Sequence, residues 1–302
     1  MSTSATNDNG TIVSTLICHR DMACGLTCLT SLLRYSQDKI GLLMIHDDGS
    51  LTDDDVALLH EKLAPARVIR RAEADEQMED QLRPFPVTAA FRRRYFSGLK
   101  LCDTFYYSSG DIYGYCDSDL LFFRPFQGLF ALPDAGTNAL MMDNGRDNFY
   151  SVRSWQFMGS PLRLPLRCNS GLVCIRRSHY DPEFIEWFLG EKRYAGNTHY
   201  GVQEQTAWAA LAMMVGCRKW DPRQFAVAQP DLAITDRTIG VHCVGMFRES
   251  LLPGYIRLCV ATDAAVAPAQ VATVPAKSCG ALRLARDESR RVLLRKWERM
   301  FG

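Results

Sequence analysis

The chain of 302 residues lacks an excess of charge of either sign, because 35 lysines and arginines nearly balance 34 aspartates and glutamates. With a formal net charge of only +1 it has no general attraction for nucleic acid, so we expect no nucleic-acid partner. No apolar run reaches the roughly 18 residues that a membrane-spanning helix needs. The first residues, MSTSATNDNG, lack the basic and apolar regions of a signal peptide. We therefore expect a cytoplasmic protein.

The sequence also lacks a cysteine pattern, although it contains 11 cysteines. Their number is odd and no C-x-x-C pair occurs, which argues against a disulfide framework and against a zinc knuckle. An apolar fraction of 47% beside 23% charged residues is typical of a globular protein and excludes a disordered one. We expect one folded domain.

Short β-branched segments alternate with segments of helical periodicity in the first half. This alternation predicts an α/β fold with a mostly parallel sheet flanked by helices, whose ligands bind at the carboxyl ends of the strands. The second half is more mixed. The predicted strands are 11–18, 40–46, 66–70, 112–116, 138–143 and 170–177, and the predicted helices are 22–35, 53–63, 73–82, 91–106, 181–189 and 203–214.

The predicted domain covers residues 11–260, after a flexible N-terminus of residues 1–10. Residues 261–275 are rich in alanine, valine and proline and predict a linker. Residues 276–302 predict a basic amphipathic helix, in which an apolar stripe is formed by Leu282, Val292, Leu293 and Trp297. Two interpretations stay open: a solvated helix packed on the domain, or peripheral contact with a membrane or a partner.

The strongest motif is Asp117-Ser118-Asp119, which directly follows the apolar segment YGYC and precedes LLFF. Residues two apart at a strand end point the same way, so both carboxylates can hold one cation. Oxygen ligands suit Mg²⁺ or Mn²⁺. Asp53 and Asp55 have the same spacing, but they follow Thr52 and are expected only to begin a helix.

The motifs, taken in order from about residue 11 to residue 245, resemble the nucleotide-sugar glycosyltransferases of the GT-A fold. In that family a D-x-D after a strand holds the metal and the nucleotide. The resemblance implies that Asp117 and Asp119 bind Mn²⁺ or Mg²⁺ and that Asp117 also contacts the donor. It also implies transfer of a hexose from a nucleotide-sugar, UDP-sugar being favoured, to a glycan, lipid-linked or small-molecule acceptor.

Further residues match family motifs, and each also has a structural interpretation. Lys100 corresponds to a basic residue that faces the donor, but alone it is a solvated helix residue. Asn169 and Gly171 resemble the N-x-G segment that lines the donor sugar, or they form a turn. Glu204-Gln205 resembles the family's catalytic D-Q pair, or Glu204 is a first-turn acid. His242, with Gly245, resembles the H-x-x-G whose imidazole completes the metal site, or it is a core histidine.

The motifs point to two different stereochemical outcomes of sugar transfer. The segment HDDGS after the second strand resembles inverting GT-A enzymes, whereas the later motifs resemble the retaining family of glycogenin and bacterial lipopolysaccharide galactosyltransferases. We favour retention, with Gln205 under the sugar; in an inverting enzyme Glu204 would be the base. Residues 144–167, rich in arginine and aromatic side chains, are the candidate acceptor segment.

Three other functions use some of the same sequence features. A haloacid-dehalogenase-like phosphohydrolase would use Asp117 as its nucleophile, but Leu121 and the mid-chain position of the motif are atypical of that family. A sugar-nucleotidyltransferase needs a glycine-rich basic loop after its first strand, and HRDMACG is a poor match. A non-catalytic carbohydrate-binding protein would not need the metal motif.

Overall fold

The computed structural model describes residues 10–194, 202–245, 247–261 and 267–301. Its centre is an eight-stranded sheet in the order β13-β9-β7-β8-β4-β1-β2-β3. These strands are β1 (Thr11–Ile17), β2 (Ile40–Asp47), β3 (Ala66–Ile69), β4 (Ile112–Cys116), β7 (Ala139–Asp143), β8 (Cys168–Arg176), β9 (Cys217–Trp220) and β13 (Thr273–Pro275).

The first four of these strands are parallel to one another, which is the arrangement that the alternation of strands and helices predicts. β8 is antiparallel to both of its neighbours, β4 and β7. The expectation of a mixed, mostly parallel α/β sheet is confirmed. A small sheet consists of β5 (Leu120–Phe122), β10 (Phe225–Val227) and β11 (Gly240–His242), and a two-stranded one of β6 (Phe126–Gln127) and β12 (Ala269–Gln270).

Helices cover both faces of the sheet. Leu29, Leu32 and Leu59 pack on one face, whereas Phe188 and Leu211 pack on the other. The helices are α1 (Met22–Tyr35), α2 (Asp53–Lys62), α3 (Arg71–Gln81), α4 (Pro86–Arg94), α5 (Phe96–Leu101), α6 (Asp103–Tyr106), α7 (Ser154–Phe157), α8 (Pro182–Gly190), α9 (Gln203–Val215), α10 (Phe247–Ala261) and α11 (Ala281–Phe301).

Asp53 and Asp55 begin helix α2, as predicted. Thr52 accepts a hydrogen bond from the Asp55 backbone N–H, and the Asp55 carboxylate accepts one from the Thr52 backbone N–H. This reciprocal cap uses the Asp55 carboxylate in folding. The D-x-D formed by Asp53 and Asp55 therefore marks the start of a helix.

The single helix predicted for residues 91–106 is wrong, because this segment contains three helices. The chain is extended at Tyr95, which ends α4 and precedes α5. Gly98 of α5 lies so close to α4 that a Cβ atom would be 2.5 Å from the Arg92 Cα. The break between the two helices at Tyr95 makes this packing possible and brings Lys100 towards the sheet.

Helix α10 was not predicted, because Pro253 lies inside it and lowers helix propensity. Residues 261–275, expected to be a linker, include strands β12 and β13. β13 extends the central sheet beside β9, and β12 pairs with β6. Alanine and valine occur in paired strands as well as in linkers. The composition of this segment therefore did not distinguish a linker from strands.

Three residues of the predicted stripe on the C-terminal helix are exposed. Leu282, Val292 and Leu293 are 87%, 52% and 67% exposed, whereas Leu284 is buried. Trp297 lies outside the residues whose side chains the structure describes, and residues 1–9 lie outside the described chain. Among the described helices, none has the length and apolar character needed to cross a bilayer.

Candidate metal and donor site

Three segments far apart in sequence meet at the end of β4. Asp117 and Asp119 lie in the turn from β4 to β5. The Asp117 backbone N–H donates to the Gly171 carbonyl at 2.7 Å, and the Cys243 backbone N–H donates to the Asp119 carbonyl at 2.9 Å. The pairing of β11 with β5 places His242 opposite Leu120. The turn is therefore held between β8 and the end of β11.

Asp117, Asp119 and His242 converge as a group that can hold a cation. The His242 Nε2 lies 2.9 Å from Asp119 Oδ1 and 3.3 Å from Asp117 Oδ2. One ligand atom from each of the three residues lies within 4.8 Å of the other two. The His242 and Asp119 side chains are 5% and 7% exposed, and that of Asp117 is 22% exposed.

The hydrogen bonds around His242 orient its Nε2 towards the two carboxylates. The Asn169 Oδ1 accepts from the Gly171 N–H at 2.8 Å and lies 2.9 Å from His242 Nδ1. Since that oxygen only accepts, Nδ1 carries the hydrogen. The Nε2 atom then faces two carboxylates, where either a second proton or a metal ion must lie. Carboxylate ligands suit Mn²⁺ or Mg²⁺, and the imidazole adds a nitrogen ligand.

The charges at this end of the sheet change the affinity of His242 and Asp117 for protons. Burial alone would lower the pKa of His242, but Asp119 and Asp117 raise it to about 9. Burial alone would raise the pKa of Asp117, but Lys100 and His242 hold it well below its usual range. In the absence of a metal ion, a proton on His242 therefore compensates the paired carboxylates.

Lys100, on α5, is buried beside the D-x-D rather than solvated. Its Nζ donates to Asp117 Oδ1 and Oδ2 at 3.0 and 2.9 Å and to the Ser170 Oγ at 3.3 Å. Burial lowers the pKa of this amine, but Asp117 and Glu204 raise it further, so that the net shift is upward. Lys100 thus remains a cation at the site.

The Asn169-Ser170-Gly171 segment lies inside β8 and supports His242. A Cβ atom on Gly171 would lie 2.2 Å from the His242 Nδ1 and 2.4 Å from its Cε1. Only glycine leaves space for the imidazole here. The alternative interpretation of Asn169 and Gly171 as a plain turn is therefore wrong, because both residues contact or accommodate the histidine.

Glu204 and Gln205 begin α9 under the same strand. The Ser170 Oγ donates to Glu204 Oε2 at 3.2 Å, while Glu204 Oε1 lies 3.8 Å from Lys100 Nζ and has no hydrogen-bond partner among the described residues. Burial raises the pKa of Glu204 to about 7, against the opposing effect of Lys100. The Gln205 amide accepts from the Ser170 N–H at 3.3 Å and donates to the Phe149 carbonyl at 2.7 Å.

Sequence reasoning missed two residues that contact the D-x-D. The Arg248 Nη2, at the start of α10, donates to Asp119 Oδ2 at 2.6 Å, and its Nη1 contacts Asp21. The Tyr115 hydroxyl donates to Asp117 Oδ1 at 2.6 Å. Arg248 belongs to a helix that was not predicted, and Tyr115 has the sequence signature of a core aromatic residue. Neither residue had a sequence feature of its own that would have assigned it to the site.

Several solved structures with the same fold are glycosyltransferases. The chain superposes on the galactosyltransferase LgtC in complex with donor and acceptor sugar analogues with a TM-score of 0.55 and 15% identity, over 85% of this chain and 98% of LgtC. Mouse xyloside xylosyltransferase 1 gives a TM-score of 0.51 and 15% identity, over 76% of this chain and 96% of the other. WbbM, a bifunctional glycosyltransferase, gives a TM-score of 0.51 and 9% identity, over 80% of this chain and 47% of WbbM.

No family model and no curated protein sequence matches the chain. The structural similarity therefore identifies the fold, at identities too low to establish a shared reaction. The chain has the GT-A fold of the nucleotide-sugar glycosyltransferases, as the sequence motifs predicted.

Proposed function

We propose that this protein is a metal-dependent glycosyltransferase that moves a hexose from a nucleotide diphosphate sugar, favoured as a UDP-sugar, to an acceptor hydroxyl. The observation that carries the proposal is the convergence of Asp117, Asp119 and His242 at the end of β4 in a GT-A fold. These residues would hold Mn²⁺ or Mg²⁺. A bound divalent cation would neutralise the charge that develops on the departing diphosphate.

The other site residues surround the position proposed for the donor. Lys100 is paired with Asp117, one of the proposed cation ligands, so Lys100 adds a second positive charge there. Asn169 and Gly171 hold His242 in place from β8. Arg248 supplies a guanidinium group, whose planar donors suit phosphate oxygens. These contacts support assigning Lys100, Asn169 and Gly171 to donor binding.

We favour retention of configuration at the transferred sugar. Glu204 is buried between Ser170 and Lys100, among the residues assigned to the donor. Its Oε1 has no hydrogen-bond partner among the described residues and therefore suits a donor hydroxyl better than an acceptor. Gln205 is the polar group assigned to the position under the sugar, and its amide is held by the backbone of Ser170 and Phe149. An inverting reaction would instead require Glu204 to reach the acceptor hydroxyl as a base.

Residues 144–167 are proposed to bind the acceptor, whether a glycan, a lipid-linked sugar or a small molecule. The segment exposes Trp155 and Met158, each 63% exposed, and its Phe149 carbonyl contacts Gln205. A large exposed aromatic side chain suits a sugar ring. Peripheral membrane contact through α11 remains the accompanying proposal, supported by the exposed Leu282 and Leu293 and by the basic composition of that helix.

Incubation with a panel of UDP- and GDP-sugars and Mn²⁺, with release of the nucleoside diphosphate as the readout, tests this function. We expect release with one donor, loss of release with EDTA, and no release by Asp119→Asn, whose folding is checked by its melting temperature. Retained turnover in that variant would reject the metal assignment. Phosphate release from a phosphomonoester would favour the phosphohydrolase, and sugar binding without turnover would favour a carbohydrate-binding protein.

A further inference from the structure

Tyr115 is a buried β4 residue that contacts two charged groups of the candidate site. It is 1% exposed. Its hydroxyl donates to Asp117 Oδ1 at 2.6 Å, and the Lys100 Nζ lies 4.7 Å from the centre of its ring. A tyrosine at this position therefore does more than fill the core, because its hydroxyl contacts the D-x-D and its ring contacts the lysine that is paired with Asp117.

The hydrogen bond from Tyr115 determines which oxygen of Asp117 is available. Oδ1 accepts from Tyr115 and, at 3.0 Å, from Lys100. Oδ2 is the oxygen that faces the His242 Nε2, at 3.3 Å. Without the tyrosine hydroxyl, the described contacts of the carboxylate would be those with His242 and Lys100, and Lys100 lies almost equally close to both oxygens. Lys100 cannot by itself favour one orientation over the other.

We propose that Tyr115 is a positioning residue for the cation site: its hydroxyl fixes the Asp117 carboxylate so that Oδ2 faces His242 and Asp119. This inference rests on the proposed function, since it assumes that the three side chains hold a metal ion. Carboxylates that bind metals are commonly oriented by hydrogen bonds from neighbouring groups, whose loss weakens metal affinity.

The chain provides a matched control in Tyr113. Tyr113 lies two residues earlier on β4, on the same face of the sheet, and is equally buried at 1% exposure. Its hydroxyl pairs with the Thr104 Oγ1 at 2.6 Å instead of with a proposed metal ligand. Replacing either tyrosine by phenylalanine removes one buried hydroxyl and keeps the ring in the core, so both variants are expected to fold.

The test is titration of wild type, Tyr115→Phe and Tyr113→Phe with Mn²⁺, following free Mn²⁺ by electron paramagnetic resonance. We expect Tyr115→Phe to raise the dissociation constant roughly 10- to 100-fold. Tyr113→Phe should leave it within about threefold, while both variants lower Tm to a similar extent because each loses one buried hydrogen bond.

Two results would overturn the positioning role while leaving the proposed function in place. One is a Tyr115→Phe protein that binds Mn²⁺ as tightly as wild type does. The other is equal weakening in both variants, which would indicate general loosening of β4. A wild-type protein that binds no Mn²⁺ would contradict the proposed cation site itself and, with it, the role of Tyr115.

Discussion

Arg248 and Asp119 form an ion pair in which Nη2 lies 2.6 Å from Oδ2, on the side of the carboxylate away from His242. The same guanidinium also contacts Asp21, at the turn that follows β1. Burial alone would lower the pKa of Arg248, but Asp119 and Asp21 raise it, so it stays a cation. A proposed metal ligand is thus shared with a positive side chain from α10.

Arg248→Gln should change the affinities for cation and donor in opposite directions. Removing the guanidinium frees Asp119 Oδ2 and removes a positive charge, so we expect Mn²⁺ to bind about tenfold more tightly, or about 1.4 kcal/mol. The KM for the nucleotide-sugar should rise, because a group suited to phosphate oxygens is lost. Calorimetric titration with Mn²⁺ and steady-state kinetics measure the two effects.

Arg20→Gln is the matched control for Arg248, because Arg20 also contacts Asp21 but is exposed and makes no contact with Asp119 among those described. Its Mn²⁺ affinity should match that of wild type. Weaker Mn²⁺ binding by Arg248→Gln would mean that the ion pair holds Asp119 in place rather than competing with the metal ion.

The affinity for Mn²⁺ should increase with pH. The pKa of His242 is raised to about 9, so below that pH the cation must displace a proton from Nε2. Each unit of pH below about 9 should then weaken binding by up to about tenfold. Titrations between pH 6 and 8 measure the slope, and His242→Gln should flatten it. A pH-independent affinity in wild type would show that His242 is not a ligand.

Glu204→Gln should stabilise the protein more at high pH than at low pH. The folded protein keeps a proton on Glu204 up to about pH 7, whereas the unfolded chain releases it near its ordinary value of 4.5. Wild type therefore loses stability as the pH rises through this window and loses no more above it. Since glutamine carries no charge, the free energy of unfolding of Glu204→Gln relative to that of wild type should increase across this pH window by up to about 3 kcal/mol.

Urea unfolding at pH 5 and pH 8 measures this difference for Glu204→Gln. Glu183→Gln is the control, because Glu183 is exposed on α8 and its replacement should leave the pH dependence unchanged. If the advantage of Glu204→Gln is the same at both values, the carboxyl group does not hold its proton as inferred.

Gly171→Ala should disrupt the metal site while the domain stays folded. The added Cβ would lie 2.2 Å from the His242 Nδ1, so the imidazole must leave its present position beside Asp117 and Asp119. We expect Mn²⁺ affinity to fall by roughly 10- to 100-fold. Gly280→Ala, where a Cβ meets nothing within 4 Å, should bind Mn²⁺ as wild type does. Unchanged Mn²⁺ binding by Gly171→Ala would show that His242 is not part of the metal site.

The sequence predicted the proximity of candidate site residues that are neighbours along the chain. Asp117 and Asp119 are two residues apart at a strand end, so the period of the strand aligns their carboxylates. His242 had two interpretations in the sequence, and only the pairing of β11 with β5 resolved them in favour of contact with both acids. Lys100 was likewise ambiguous until the packing of α5 buried it.

The sequence by itself determined the elements whose signals are local. The strands up to β4, the cap at Thr52 and the position of the D-x-D follow from apolar periodicity and from side chains within four residues of one another. The parallel direction of these strands could be predicted from the same signals because strands and crossover helices alternate along the chain.

Tertiary structure alone decided the contacts between segments that are distant along the chain. The pairing of Arg248 with Asp119, the space that Gly171 leaves for His242 and the addition of β13 to the sheet each join residues from separate parts of the sequence. Their physical basis is complementarity of charge, shape or backbone hydrogen bonding between two surfaces. Neither surface exists until the chain has folded.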